Sequence, residues 1–331
     1  MSSPDPVTSR RGFFWTGVER VQSQYGTVVR GPMYVEWEEP VEVTQPYPIV
    51  LIHGGGGQGL DWMQTYDGRP GWAPLLVQRG YKVYVVDRPG HGRSSFHPDV
   101  IAPMGAPFPF EAGVGIFRSP TEGPMSHPTA HLHTQWPGTG EDDDPALEAI
   151  VVSSGPMPEL RVSQELDQSR GAELLDRIGP AVVMAHSLGG PAGWLIADAR
   201  PDLVKALVEI EPVGPPFAEN PQLGLTLDYG LTAAPLTYDP PVDDPAELGG
   251  KPRRLPNIAR VPIAYVSAPA SPFVHFHDAM VDFLKEAGCD VTSLKLSEQG
   301  VEGNGHAMML EKNNAEALEP IARWIEATVG A

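Results

Sequence analysis

Residues 181–190 read Ala-Val-Val-Met-Ala-His-Ser-Leu-Gly-Gly, an apolar run that stops at a histidine and a serine and continues into two glycines. A serine packs poorly there, and glycines are weak helix formers. Ala185-x-Ser187-x-Gly189 has the small-x-Ser-x-Gly spacing of a tight strand-to-helix turn, which holds a hydroxyl out at the end of a buried strand. Larger residues at the flanks of such a turn would clash. The plainer alternative is that Ser187 only caps the following helix. A serine hydroxyl is a weak nucleophile at neutral pH, so the chemical reading requires a base elsewhere in the chain.

Where such turns serve catalysis, the partners follow in the order serine, acid, histidine. His275, His277 and His306 all lie C-terminal to Ser187. Only His306 falls in a glycine-rich loop, Gly303-Asn304-Gly305-His306, between a strand and the last helix; His275 and His277 fall at an apparent helix start. The acid is expected after the strand Val261 to Val266, yet Ser267 to Pro272 contains no carboxylate. The preceding strand ends Val208-Glu209-Ile210-Glu211-Pro212, which puts Glu211 at the carboxyl edge of the sheet. A carboxylate there can accept an imidazole N–H and fix the tautomer that receives the serine proton. Glu209 is the rival, expected to point the same way, and an ordinary salt bridge is the plainer role for Glu211.

Acyl transfer also needs donors for an oxyanion. The N–H of Leu188 is one candidate; the other is expected from His53-Gly54-Gly55-Gly56-Gly57, with Gly55 first and Gly56 second. Loss of one such donor typically costs roughly 3–4 kcal/mol in the transition state. The four glycines do not read as a phosphate loop, because no Gly-Lys-Ser/Thr follows. His131-x-His133 and His275-x-His277 are poor metal pairs, since neither has a carboxylate cluster at useful spacing. No cofactor or metal is expected. Asp87 to Ser94 reads as a structural turn stitched by Asp87 and Arg93. Trp62, Trp72, Trp136, Phe273 and Met308 are candidate walls of an apolar pocket, or plain core.

These residues need a frame that brings them together. Pro48 to His53, Lys82 to Asp87, Pro180 to Ala185, Ala206 to Ile210 and Val261 to Val266 are short, β-branched runs bounded by Gly or Pro, as in parallel strands buried on both faces. Helical stretches lie between several of them, at Trp72 to Arg79, Ser163 to Arg177, Gly190 to Ala199 and His275 to Ala287; Ala315 to Thr328 closes the chain. Alternation of this kind predicts an α/β fold with a mostly parallel sheet, helices on both faces and right-handed crossovers. Phe13 to Arg20 reads as a first strand, and Met33 to Trp37 as a strand near an antiparallel edge. Residues 94–158 and 212–257 are rich in proline and break the rhythm; they are expected to be irregular lid insertions in a single domain over 1–331. Both follow carboxyl ends of strands, where ligands bind in such sheets.

Composition narrows the partners. A net charge of −19 disfavours a nucleic-acid or anionic-membrane partner, which calls for a basic face. The single cysteine, Cys289, excludes an intramolecular disulfide and a thiolate metal cluster. Ser9-Arg10-Arg11-Gly12-Phe13-Phe14 has the look of a twin-arginine signal, but a polar stretch follows where about 7–15 apolar residues are required. The expectation is a cytoplasmic chain, with the periplasm less favoured. The partner expected is a small-molecule ester, and a homodimer is allowed for.

His53-Gly54-Gly55, Asp87-x-x-Gly90-x-Gly92-x-Ser94, Ala185-x-Ser187-x-Gly189 and Gly305-His306 together resemble the α/β-hydrolase superfamily over nearly the whole chain. A narrower likeness is to a small bacterial esterase group that includes sulfonylurea-herbicide de-esterifying esterases, whose triad acid is a glutamate after strand six. Ile210-Glu211-Pro212 and Gly303-Asn304-Gly305-His306-Ala307-Met308-Met309 resemble that group's motifs. The likeness implies a carboxylic ester hydrolase with Ser187, His306 and Glu211 as its triad. The chain departs from one branch in carrying Gly55-Gly56 where that branch has paired cysteines, so substrate preference does not transfer. An acyltransferase, or an amide or lactone hydrolase using the same triad, is the alternative.

Overall fold

A computed structural model describes residues 7–141, 143–220 and 224–330. Asp142, in the acidic run Glu141 to Asp144 of the first insertion, and residues 221–223 of the second insertion therefore lie outside the described residues. In chain order the elements are β1 (Ser9–Thr16), β2 (Arg20–Ser23), β3 (Gly26–Val29), β4 (Met33–Pro40), β5 (Ile49–Ile52), α1 (Trp72–Gln78), β6 (Val83–Asp87), α2 (Phe110–Gly113), α3 (Pro145–Ser153) and α4 (Leu160–Ile178). There follow β7 (Ala181–His186), α5 (Gly190–Ala199), β8 (Val204–Ile210), β9 (Glu219–Asn220), β10 (Leu225–Thr226), β11 (Ile263–Ser267), α6 (His277–Glu286), β12 (Val291–Lys295) and α7 (Asn314–Val329).

Eight strands form one sheet in the order β1-β4-β6-β5-β7-β8-β11-β12. The β1–β4 and β4–β6 pairings are antiparallel and the rest are parallel. The continuous apolar runs follow from burial on both faces. Val50, Ile52, Val183, Ala185 and Leu207 join one core with residues of α4, α5 and α6; Ile49, Leu51, Val182, Met184 and Val208 join the other with α1 and α7. Adjacent residues of one strand thus feed opposite layers, as the two-residue period requires.

Several boundaries differ from the sequence reading. The first strand is Ser9–Thr16, not Phe13 to Arg20: Gly17 takes φ +80 and ends it, and Arg20 begins the β2–β3 hairpin. Arg10 and Arg11 are strand residues whose guanidinium groups pair with Glu39 and Glu38 at 3.1 Å each. α4 starts three residues early because the Glu159 carboxylate caps the N–H groups of Arg161 and Val162. β12 carries no buried apolar run, since Thr292 and Ser293 are exposed and Leu294 is its one buried residue. The first insertion is not wholly irregular. Asp144, at the end of the acidic run, caps α3 through the Ala146 and Leu147 N–H groups, with Pro145 at the first helical position. No helix among the described residues is long and apolar enough to cross a membrane.

Candidate active site

β7 runs into Ser187, which takes φ +55, and one tight turn then leads to α5. A non-glycine residue in this region stores about 1–3 kcal/mol of backbone strain. The turn is tight because the helix crosses its neighbours at backbone distance. A Cβ on Gly189 would lie 2.3 Å from the His53 carbonyl oxygen, and one on Gly190 would lie 2.3 Å from the Pro212 Cβ. His53 is itself pinned: its Nδ1–H donates to the Gly54 carbonyl at 2.8 Å, and its Nε2 accepts the Arg88 N–H at 3.0 Å. Burial pushes its pKa down to about 3, so the ring is neutral and in one tautomer.

His306 arrives on the loop after β12. Its Nε2 lies 2.9 Å from the Ser187 Oγ and its Nδ1 lies 2.7 Å from the Glu211 Oε2. The ring is fully buried, stacked on Phe273 with centroids 4.0 Å apart and planes 9° apart. On another side it meets the His186 ring at 4.5 Å, and the His186 Nε2–H donates to the His306 carbonyl at 3.0 Å. Burial pushes the His306 pKa down to about 3, which keeps the ring neutral and able to accept a proton at neutral pH.

Glu211 follows the last residue of β8 and takes φ +43. Its carboxyl accepts the Ala268 N–H at 2.8 Å and the Ser271 hydroxyl at 2.7 Å. Ser271 Oγ in turn accepts the Phe273 N–H at 3.0 Å, which leaves its own proton for Glu211. Burial raises the Glu211 pKa, to about 8, while the Ala268 and Ser271 donors oppose the rise. With the His306 Nδ1–H, three donors face this carboxyl, an arrangement that suits the ionised form.

Glu209 does not share this direction, contrary to the sequence expectation. Strand alternation turns it under α5, where a Cβ on Gly193 would lie 2.2 Å from its Oε1. The left-handed step at Glu211 breaks the alternation and swings the later carboxyl toward the β11 edge. Both Glu209 oxygens are buried without a hydrogen-bond partner among the described residues, and burial raises its pKa well above the ordinary range.

The glycine loop after β5 lies against the serine turn. A Cβ on Gly54 would sit 3.2 Å from the Ser187 Cβ, and one on Gly55 would sit 2.3 Å from the Leu188 Cδ1. Gly56 takes φ +67 and turns away: its carbonyl accepts the Gly155 N–H at 2.8 Å. The structure thus brings Gly55 beside Leu188, and commits Gly56 to the first insertion. The Asp87 turn is stitched as expected, with the Arg93 N–H and Nε both 2.7 Å from the Asp87 carboxylate.

The remaining candidates disperse. Trp62, Trp72 and Met308 are core residues, and the Trp136 indole N–H donates to Asp144 at 2.6 Å. His277 heads α6 and bonds the Ser293 hydroxyl at 2.7 Å, while the His275 ring lies 6.2 Å from that of His127. His131 is exposed, and the side chain of His133 is buried 2.8 Å from Glu311. Sequence reasoning missed the supports of the site: Ser271, His186 and Glu311. The one available signal was the carboxylate-free loop Ser267 to Pro272, which supplies donors to an acid borne by the neighbouring strand.

Residues 49–319 match the Alpha/beta hydrolase family. The chain is similar to a protein named probable secreted lipase phiG, from a fungal species (strain ATCC 74256), at 38% identity over 322 residues, covering 89% of this chain and 85% of that one. Its structure is similar to one described as the atomic-resolution structure of a novel bacterial esterase, with a TM-score of 0.72, 24% identity and 99% of each chain covered. The eight-stranded sheet, the ordered motifs along it and these likenesses converge on one assignment: the chain belongs to the alpha/beta hydrolase family.

Proposed function

We propose that this hydrolase is a serine carboxylesterase that cleaves a small to medium ester through an acyl-enzyme. One observation carries the reading: an unbroken row of hydrogen bonds, Ser187 Oγ to His306 Nε2 at 2.9 Å and His306 Nδ1 to Glu211 at 2.7 Å, set at a half-buried, strained turn. Ser187 Oγ attacks the ester carbonyl as His306 takes its proton. Glu211 stabilises the imidazolium and holds its orientation. The N–H groups of Leu188 and Gly55 receive the oxyanion. His306 then protonates the leaving alcohol, and water, activated by the same ring, releases the acid from Ser187.

The buried, neutral His306 suits a base that must accept a proton only in the transition state. Arg10 and Arg11 pair with Glu39 and Glu38 as strand residues, and the fungal relative's name carries secretion. The test is Ser187→Ala: the variant should fold normally and lose p-nitrophenyl acetate hydrolysis by several orders of magnitude. Near-wild-type turnover would end the proposal.

A further inference from the structure

The first insertion does more than cover the sheet. The Gly303 carbonyl accepts the N–H groups of Thr134 and Gln135 at 3.0 and 3.1 Å, and the Lys312 N–H donates back to the Gln135 carbonyl at 2.9 Å. Both ends of the loop that carries His306 are thereby tied to residues 134–135. Between the ties lies Glu311, fully buried. It accepts the Gly305 N–H at 2.9 Å, the Asn304 side-chain amide at 2.8 Å and the His133 Nε2 at 2.8 Å. The other His133 nitrogen, Nδ1, lies 3.1 Å from the Arg118 carbonyl. The Arg118 carbonyl can only accept, and both Glu311 oxygens already receive the Gly305 N–H or the Asn304 amide, a setting for a carboxylate to which the second ring nitrogen donates as well.

We propose that His133 is a buried imidazolium whose ion pair with Glu311 is the positioning element for the base, through the Gly305 N–H next to His306. This rests on the esterase reading of Ser187 and His306. The contact is close: a Cβ on Gly305 would lie 2.9 Å from the His133 ring and 3.0 Å from Glu311. Without the cation, Glu311 is a buried charge held by neutral donors alone, and the loop must shift or take up a proton. The groups around His133 are the Glu311 carboxylate, the Lys312 ammonium, the His127 ring, the Trp136 ring and the Arg118 carbonyl. Glu311 outweighs the opposing Lys312 charge and the burial, and the His133 pKa is raised above the ordinary histidine range. The pair is therefore intact below that raised pKa and dissolves as pH rises through it.

The experiment joins histidine ring ¹⁵N spectra, assigned by through-bond correlation, to steady-state kinetics of His133→Gln on p-nitrophenyl acetate. At pH 7 both nitrogens of His133 should be protonated in the wild-type chain. His133→Gln should lower kcat about tenfold to a hundredfold, the order expected of a misplaced catalytic group. KM should stay within about twofold, and the alkaline loss of kcat that the proposal expects of the wild type should be absent from the variant. A neutral His133 at pH 7 overturns the proposal, as does a variant with the wild-type kcat and alkaline limb. The ring spectrum does not depend on turnover or on the variant's folding. Failure of the ion pair can thus be told from failure of the esterase reading, which inert wild-type protein would show.

Discussion

Glu211 and Glu209 stand two residues apart on one strand end, and exchanging each for glutamine separates their roles. In Glu211→Gln the side chain keeps its shape but loses one acceptor. The native carboxyl accepts the Ala268 N–H on one oxygen and the Ser271 hydroxyl and His306 Nδ1–H on the other. If the amide oxygen faces His306, the new NH₂ opposes the Ala268 N–H; if it faces Ala268, the NH₂ opposes the ring and favours the tautomer with its proton on Nε2. That tautomer cannot take the Ser187 proton. The corresponding acid-to-amide change in a serine protease costs about 10⁴ in kcat. A loss of that size here is about 5.4 kcal/mol of transition-state stabilisation. Glu209, by contrast, has no hydrogen-bond partner among the described residues and is held neutral by burial, so glutamine replaces it with little change of shape or charge. Glu209→Gln should keep kcat/KM within a few-fold. The assay is kcat/KM on p-nitrophenyl acetate, with circular dichroism to confirm folding. Equal losses in the two variants would refute the assignment of the acid.

Three further outcomes follow from the same contacts. Gly189→Ala should destabilise the fold by about 1–3 kcal/mol in a denaturant titration, because its Cβ meets the rigid His53 carbonyl; unchanged stability would mean the turn can open. Phe273→Ala uncovers the His306 ring, so the acid limb of kcat/KM should move up in pH toward the ordinary histidine value; an unmoved limb contradicts burial as the cause. Acid stability has two opposed parts. The His53 ring, held near 3, costs stability once the unfolded chain binds protons below pH 6.5, while Asp61, pushed up to about 7, offsets that loss until the unfolded carboxyl is protonated near 3.8. Asp61→Asn removes the opposing part, so its unfolding free energy relative to wild type should fall by about 1.4 kcal/mol per pH unit from pH 6.5 to 4.5 in denaturant titrations, whereas a pH-independent difference would contradict the assignment.

The parallel strands were legible because burial on both faces writes them as unbroken apolar runs, and the serine turn because only small residues fit between α5 and β5. Ser187, His306 and Glu211 stand in the sequence at strand or loop ends with distinctive neighbours. The β2–β3 hairpin and β12 carry no such pattern, since each is half exposed and polar. Glu209 misled because alternation gives a direction only while the strand continues, and a single positive φ at Glu211 cancels it. The supports were invisible for another reason. Ser271, His186 and His133 act through contacts across 60 to 178 residues, or through a main-chain carbonyl, and no local spacing encodes such partners; Glu311 reaches Gly305 over six residues but is paired with His133 across 178.

The most direct measurement is rapid acid quench of the protein during turnover of p-nitrophenyl acetate, followed by peptide mass spectrometry. An acetyl group on the peptide bearing Ser187, absent in Ser187→Ala and lengthened in lifetime by Glu211→Gln, is the result expected. Turnover by wild-type protein with Ser187 never modified under any quench time, or with the acetyl group trapped on another side chain, would contradict the account.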